Sequence, residues 1–162
     1  MRSEKSRSTS LGFTIIELLV VIALVSTLVG FISFNLLGVQ QKTNIKSTGE
    51  MLISQIRGQQ AKAMSGIGAG APQSYGIHIE PTRFVLFVGT SFDSTDTRNL
   101  ATNTEGATLS TLFPSDTIVF QVLTGEIVNY SSSTSTVTVQ TTDGTKQEIL
   151  TINKYGALVN LQ

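Results

Sequence analysis

At 162 residues the chain is long enough for one ordinary domain with a real core and has little room for more. Lys plus Arg equals Asp plus Glu, 11 each, so no overall charge excess draws the protein toward nucleic acid or anionic lipid. There is no cysteine, which excludes a disulfide framework and any thiolate metal site, though it selects no compartment.

The balance of charge hides an asymmetry. Arg2, Lys5 and Arg7 against Glu4 make the first 12 residues net positive, and residues 13–162 carry 8 basic and 10 acidic side chains. Directly after this basic leader comes an apolar run from Phe13 to Leu37. As a helix it measures roughly 37 Å at about 1.5 Å per residue, enough for a hydrocarbon core of about 30 Å. The positive segment before it is expected to stay in the cytoplasm, placing the C-terminal bulk on the far side of the membrane. A secretory signal peptide shares the basic start, but its apolar region is shorter, and after Leu37 there is no polar, small-residue cleavage pattern.

One residue breaks the run. Glu17 is a carboxylate in a segment where a charge near the bilayer centre costs about 2.5–3.5 kcal/mol on insertion scales, so a partner or a task is expected for it. The alternative is a position close enough to the interface to reach water.

Past the run, Ile45, Gly49, Leu52, Ile56 and Ala63 fall on one narrow stripe at about 100° per residue, with Lys46, Ser47, Gln55, Arg57 and Lys62 off it. This is an amphipathic helix that needs a core to cover it. Gly66, Gly68, Gly70 and Pro72 end the pattern. If both runs are one helix it covers about residues 13 to 65, roughly 80 Å, with Gly30 and Gly38 as its weak points.

Beyond Pro72 the period becomes alternating. Tyr75, Ile77 and Ile79 share one face of a strand, Pro81 and Thr82 make a turn, and RFVLFV returns as the second strand of a hairpin. The Ser- and Thr-rich stretch from Gly89 to Thr111 reads as a surface excursion. Alternation resumes at Ile118, Phe120 and Val122 and closes at Gly125. Asp143-Gly144 marks a second hairpin, and ALVNL is a last short strand after NKYG. The expected fold class is therefore α+β: a long N-terminal α-helix, stem and amphipathic half together, packed on one face of an antiparallel sheet of five to seven strands. The expected divisions are a leader at 1–12, a transmembrane stem at 13–37, the head's amphipathic helix at 38–65 and a β-rich head at 66–162.

The N-terminus, a short basic leader ending in Gly12, then FTIIE, then about twenty apolar residues, resembles that of the type IV prepilins and the pseudopilins of type II secretion. More weakly, IRGQQAKA, YGIHIE, IVFQVLTGEI and YGALV resemble the minor pilins and H-type pseudopilins. The resemblance implies a pilin-like fold, cleavage by prepilin peptidase between Gly12 and Phe13, and methylation of the new Phe13 amine. A glycine at the cut suits close approach of a protease to the backbone. It further implies that Glu17 meets the N-terminal amine of a neighbouring subunit during assembly, with other pilins and an inner-membrane assembly platform as partners. The protein would be single-pass in the inner membrane, then part of a periplasmic pseudopilus or an extracellular pilus. No cofactor is implied, and ATP hydrolysis would come from a separate motor.

Other chemistries find little support. His78 is the only histidine, with no cysteine to complete a metal site or a catalytic set, and a structural role is expected. Asp93, Asp96 and Glu105 lack EF-hand spacing, and GIGAG from Gly66 lacks the lysine of a P-loop. No enzyme is expected. A DNA-capturing minor pilin is the alternative, but the head after Pro72 offers only Arg83, Arg98, Lys146 and Lys154 for phosphates, so nucleic acid is not an expected partner. A single-span membrane protein with an extracytoplasmic β domain is the other alternative, and it would lack processing at Gly12.

Overall fold

The computed structural model describes residues 13–66, 71–104, 106–128 and 130–161, with only the backbone described at 32–43 and 161. The leader 1–12, the expected cleavage residue Gly12 and most of the GIGAG turn lie outside the described residues. One α-helix, α1, runs Ile15–Ser65 and is followed by eight strands: β1 Tyr75–Glu80, β2 Arg83–Val88, β3 Leu100–Asn103, β4 Ala107–Thr111, β5 Thr117–Phe120, β6 Thr136–Thr141, β7 Gln147–Ile152 and β8 Leu158–Leu161. By its contacts the chain divides into two compact units, Met1–Val39 and Gln40–Gln162.

The architecture is α+β, as the change of hydrophobic period requires, with a correction to the sheet. Instead of one sheet there are two of four strands each, ordered β3-β2-β1-β5 and β4-β6-β7-β8. All pairings are antiparallel. Two of the eight strands, β3 and β4, lie inside the stretch read as a polar excursion. Edge strands need backbone partners on one side only, so β3 forms from LATN with most of its side chains exposed. The alternation of β4 is short but real, since Ala107 and Leu109 are buried. A second correction concerns Val122. The strand β5 stops at Phe120, and the chain turns through Leu123 at φ 67° and Gly125 at φ 67°.

Within the second unit the stripe on α1 packs as its spacing dictates. Ile45, Leu52, Ile56 and Ala63 are buried in one cluster with Ile77 and Phe120 of the first sheet and Val139 and Leu150 of the second. Each such apolar side chain contributes about 1.5–3 kcal/mol by leaving water. Thr48 and Gln59 are buried on the same side of the helix. Gln59 donates from Nε2 to the carbonyl of Gly76 at 3.3 Å.

The C-terminal end of α1 is tied to two turns. Gly66 takes φ 63°, and the carbonyl of Ala63 accepts the N–H of Leu123 at 2.9 Å, satisfying a group that every helix end leaves open. Gln60 donates from Nε2 to the carbonyl of Gly125 at 3.0 Å and to that of Tyr155. The hairpin at Asp143-Gly144 forms as its sequence requires, with Gly144 at φ 69° and Asp143 accepting from both the N–H and the hydroxyl of Thr145. The Thr141 hydroxyl above all, and then these bonds, hold the Asp143 carboxyl at about 2.

Candidate functional site

The residues singled out for processing and assembly stand at the first turn of α1. Phe13 precedes the helix and is 83% exposed. Thr14 is the capping residue: its Oγ1 accepts the backbone N–H of Glu17 at 3.4 Å, while its carbonyl accepts the N–H of Leu18 at 3.2 Å. One donor left open by the helix start is thereby partnered. Thr14 followed three residues later by Glu17 is the order of a capping box, in which the glutamate side chain reaches back toward the cap. The Glu17 carboxylate also lies in the first turn, where the positive end of the helix dipole favours a negative charge. The motif T-x-x-E was legible in FTIIE, and reasoning from the cost of a membrane carboxylate alone passed over it.

Around this carboxylate the helix surface is apolar on every side. Ile15, Ile16, Leu18, Leu24, Leu28 and Phe31 are all more than half exposed. Between Phe13 and Phe31, Glu17 is the sole ionisable side chain. A helix apolar all round is a surface that requires covering, by lipid or by other helices. Among the described residues no helix is long and apolar enough to cross a membrane. The side chains of 32–37, the far end of the expected span, lie outside the described residues.

Of the residues weighed for other chemistries, Asp93 and Asp96 share one turn, in which the N–H of Asp96 donates to the carbonyl of Asp93 at 3.2 Å. Asp93 accepts from the N–H and hydroxyl of Thr95, which lowers its pKa. Asp96 pairs with Arg98 at 2.6 Å, and that guanidinium holds its carboxyl at about 2. Glu105 lies outside the described residues. Among the described residues no group of three or more His, Asp or Glu side chains is placed to hold a metal ion. Of the four basic side chains after Pro72, Arg83 pairs with Glu80 at 2.6 Å, Arg98 with Asp96, and Lys154 with Glu126 at 2.8 Å.

With that geometry in view, residues 7–33 match the prokaryotic N-terminal methylation motif. The match takes in the end of the leader, the Gly12-Phe13 junction, the Thr14 cap, Glu17 and the exposed apolar turns of α1. It thus defines a class of N-terminus, that of chains processed and methylated at the start of an apolar helix, and supports a pilin-like subunit. No curated protein and no solved structure matches the chain.

Proposed function

We propose that this chain is a structural subunit of a type IV pilus or type II secretion pseudopilus, in a minor position. It is inserted in the inner membrane through residues 13–37, cut between Gly12 and Phe13 by prepilin peptidase, methylated at Phe13 and polymerised through α1. The observation that carries this reading is the N-terminal methylation motif at 7–33, set on a helix whose first turns are apolar on all sides and whose later turns belong to a β-rich unit. Packing between apolar stems supplies attraction. In lipid that attraction rests on close contact and not on expulsion of water.

Selectivity then falls to Glu17. After cleavage the amine of Phe13 is a positive charge at the start of the helix, and a carboxylate held in apolar surroundings is tolerated when paired. A neighbouring subunit's Phe13 amine supplies the pair and sets the stagger between helices. The chain itself catalyses nothing in this scheme; it is the peptidase's substrate and a building block of the assembly platform's product.

The test is mass spectrometry of the protein recovered from membranes and from sheared filaments of cells that have the peptidase. The expected N-terminal peptide begins at methylated Phe13, and Gly12→Val leaves the leader attached. An intact Met1 peptide in assembled material overturns the proposal.

A further inference from the structure

The first sheet is buried on both faces. Tyr75, Ile77 and Ile79 of β1 join the core shared with α1. Gly76 and His78 alternate with them on the outer face, together with Val85 and Phe87 of β2 and Thr117 and Val119 of β5. Val85, Phe87 and Val119 are buried there without belonging to the main core. The loop after β2 covers them. Phe92 sits edge-on to Phe87 with ring centroids 5.6 Å apart and stacks flat on His78 at 4.1 Å and 13°.

Beside this aromatic group lies a cavity of about 370 Å³, within the size range of small-molecule sites. His78 and Thr117 line it from the sheet, Ser91 and Phe92 from the loop, and Pro114 and Ser115 from the opposite wall. That wall is strained: Ser115 holds φ of 55°, a left-handed conformation that residues with a side chain rarely adopt and that concentrates at ligand-contacting segments. The hydroxyl of Thr117 donates to the carbonyl of Pro114 at 3.1 Å, so toward the cavity it offers lone pairs. His78 Nδ1 is enclosed and has no partner among the described residues. An enclosed ring nitrogen without a partner is a polar group left unpaired.

We propose that this cavity binds a neutral sugar ring. Its lining combines hydroxyls and one imidazole with the apolar surfaces of Phe92, Pro114 and Val119, and among the described residues it includes no Asp, Glu, Lys or Arg. An anion or cation would leave water for a site without a countercharge, and a purely apolar ligand would leave the hydroxyls unpaired. A pyranose matches both halves, with a C–H face for the apolar surface and a rim of hydroxyls that donate and accept.

His78 is the only histidine, so its ring gives one set of resonances in a full-length chain labelled with ¹⁵N-histidine and held in a phosphocholine detergent free of sugar. The probes are the methyl glycosides of glucose, galactose and N-acetylglucosamine, with glucuronate as the charged comparison. The expected result is a saturable shift of the His78 signals by at least one neutral glycoside in the millimolar range. Thr117→Val, which keeps the shape and removes the hydroxyl, weakens it about tenfold or more. If Thr117→Val loses the native spectrum, Ser91→Ala at the exposed rim is read in its place. Chitobiose binding more tightly than the monomer assigns the site to a glycan chain, and equal binding assigns it to a free sugar. No saturable shift with any neutral glycoside, a shift with glucuronate alone, or undiminished binding in the folded variant overturns the proposal.

Discussion

The side-chain oxygen of Thr14 accepts the backbone N–H of Glu17 at 3.4 Å, so the residue proposed to pair with a neighbouring subunit is also the third residue of its own helix. The position thus takes part in the cap through its backbone N–H, while the assembly role needs the charge of its side chain. Glutamine is accepted in a capping box as glutamate is, and this separates them. Glu17→Gln is expected to be processed and to reach membranes at wild-type levels while its incorporation into filaments falls sharply. Glu17→Ala falls equally, and Glu17→Asp keeps part of the function. Thr14→Ala costs about 0.5–2 kcal/mol of helix stability at the first turn and leaves the charge in place, so its assembly defect is the milder one. The measurement is the ratio of filament-associated to membrane-resident protein in sheared fractions. Wild-type assembly by Glu17→Gln excludes the charge role.

The second unit, Gln40–Gln162, encloses the stripe of α1 between both sheets. A fragment beginning at Gln40 is expected to be a folded monomer with mixed helix and strand by circular dichroism. With four of its eight basic side chains, Lys46, Arg83, Arg98 and Lys154, already in ion pairs, it should bind DNA no more tightly than roughly 10⁻⁴ M at physiological salt. A disordered spectrum refutes the division into stem and head, and a micromolar constant with a steep salt slope favours the DNA-capture alternative.

Gly76 lies under the ring of Phe87. A Cβ built at position 76 would meet Phe87 Cζ at 2.3 Å and the carbonyl of Ile118 at 2.9 Å. The ring fills the space that a side chain on β1 would take, and backbone on the other side blocks retreat. Gly76→Ala is therefore expected to destabilise the unit by about 1–3 kcal/mol, the usual cost of overpacking. Phe87→Leu should be less costly in the Gly76→Ala background than alone, because the clash it relieves is present only there. Urea midpoints of the four proteins close the cycle, and strict additivity contradicts the packing described.

Glu148 on β7 faces α1, with its Oε2 3.5 Å from the Cβ position of Gly49. Burial raises its pKa first and the nearby Glu50 carboxylate adds to this, against a smaller opposing influence of Lys46. The sign follows directly. A carboxyl whose pKa is higher in the folded state binds its proton more tightly there, so it adds stability as pH falls through the folded pKa. At neutral pH its charge is a burden on the fold. Glu148→Gln should be more stable than wild type at pH 7, with the difference shrinking as pH falls toward 4. Urea midpoints across that range check it, and a variant less stable at pH 7 refutes it. Asp96 and Asp143, each held at about 2, act in the opposite direction and are common to both proteins, so they cancel in the comparison.

What the amino-acid order determined alone was everything whose cause is local. Gly12, FTIIE and the apolar run are contiguous, and the motif match covers them as far as residue 33. Ile45, Leu52, Ile56 and Ala63 follow helical spacing, and all four are buried. Pro81-Thr82 and Asp143-Gly144 each close a hairpin between neighbouring strands. Tertiary structure decided what depends on residues far apart in the chain. The strand β4 exists because β6 offers it a partner across more than twenty intervening residues, and its own Ser and Thr carry too little alternation to announce it. Phe87 and Val85 alternate with core residues yet are buried as well, because the loop after β2 folds back and brings Phe92 over the outer face. Gln60 looks like a surface residue of an amphipathic helix until the turns at Gly125 and Tyr155 arrive to accept its amide. The cavity beside His78 belongs to the same category. Four separate segments build it, and no one of them carries its pattern.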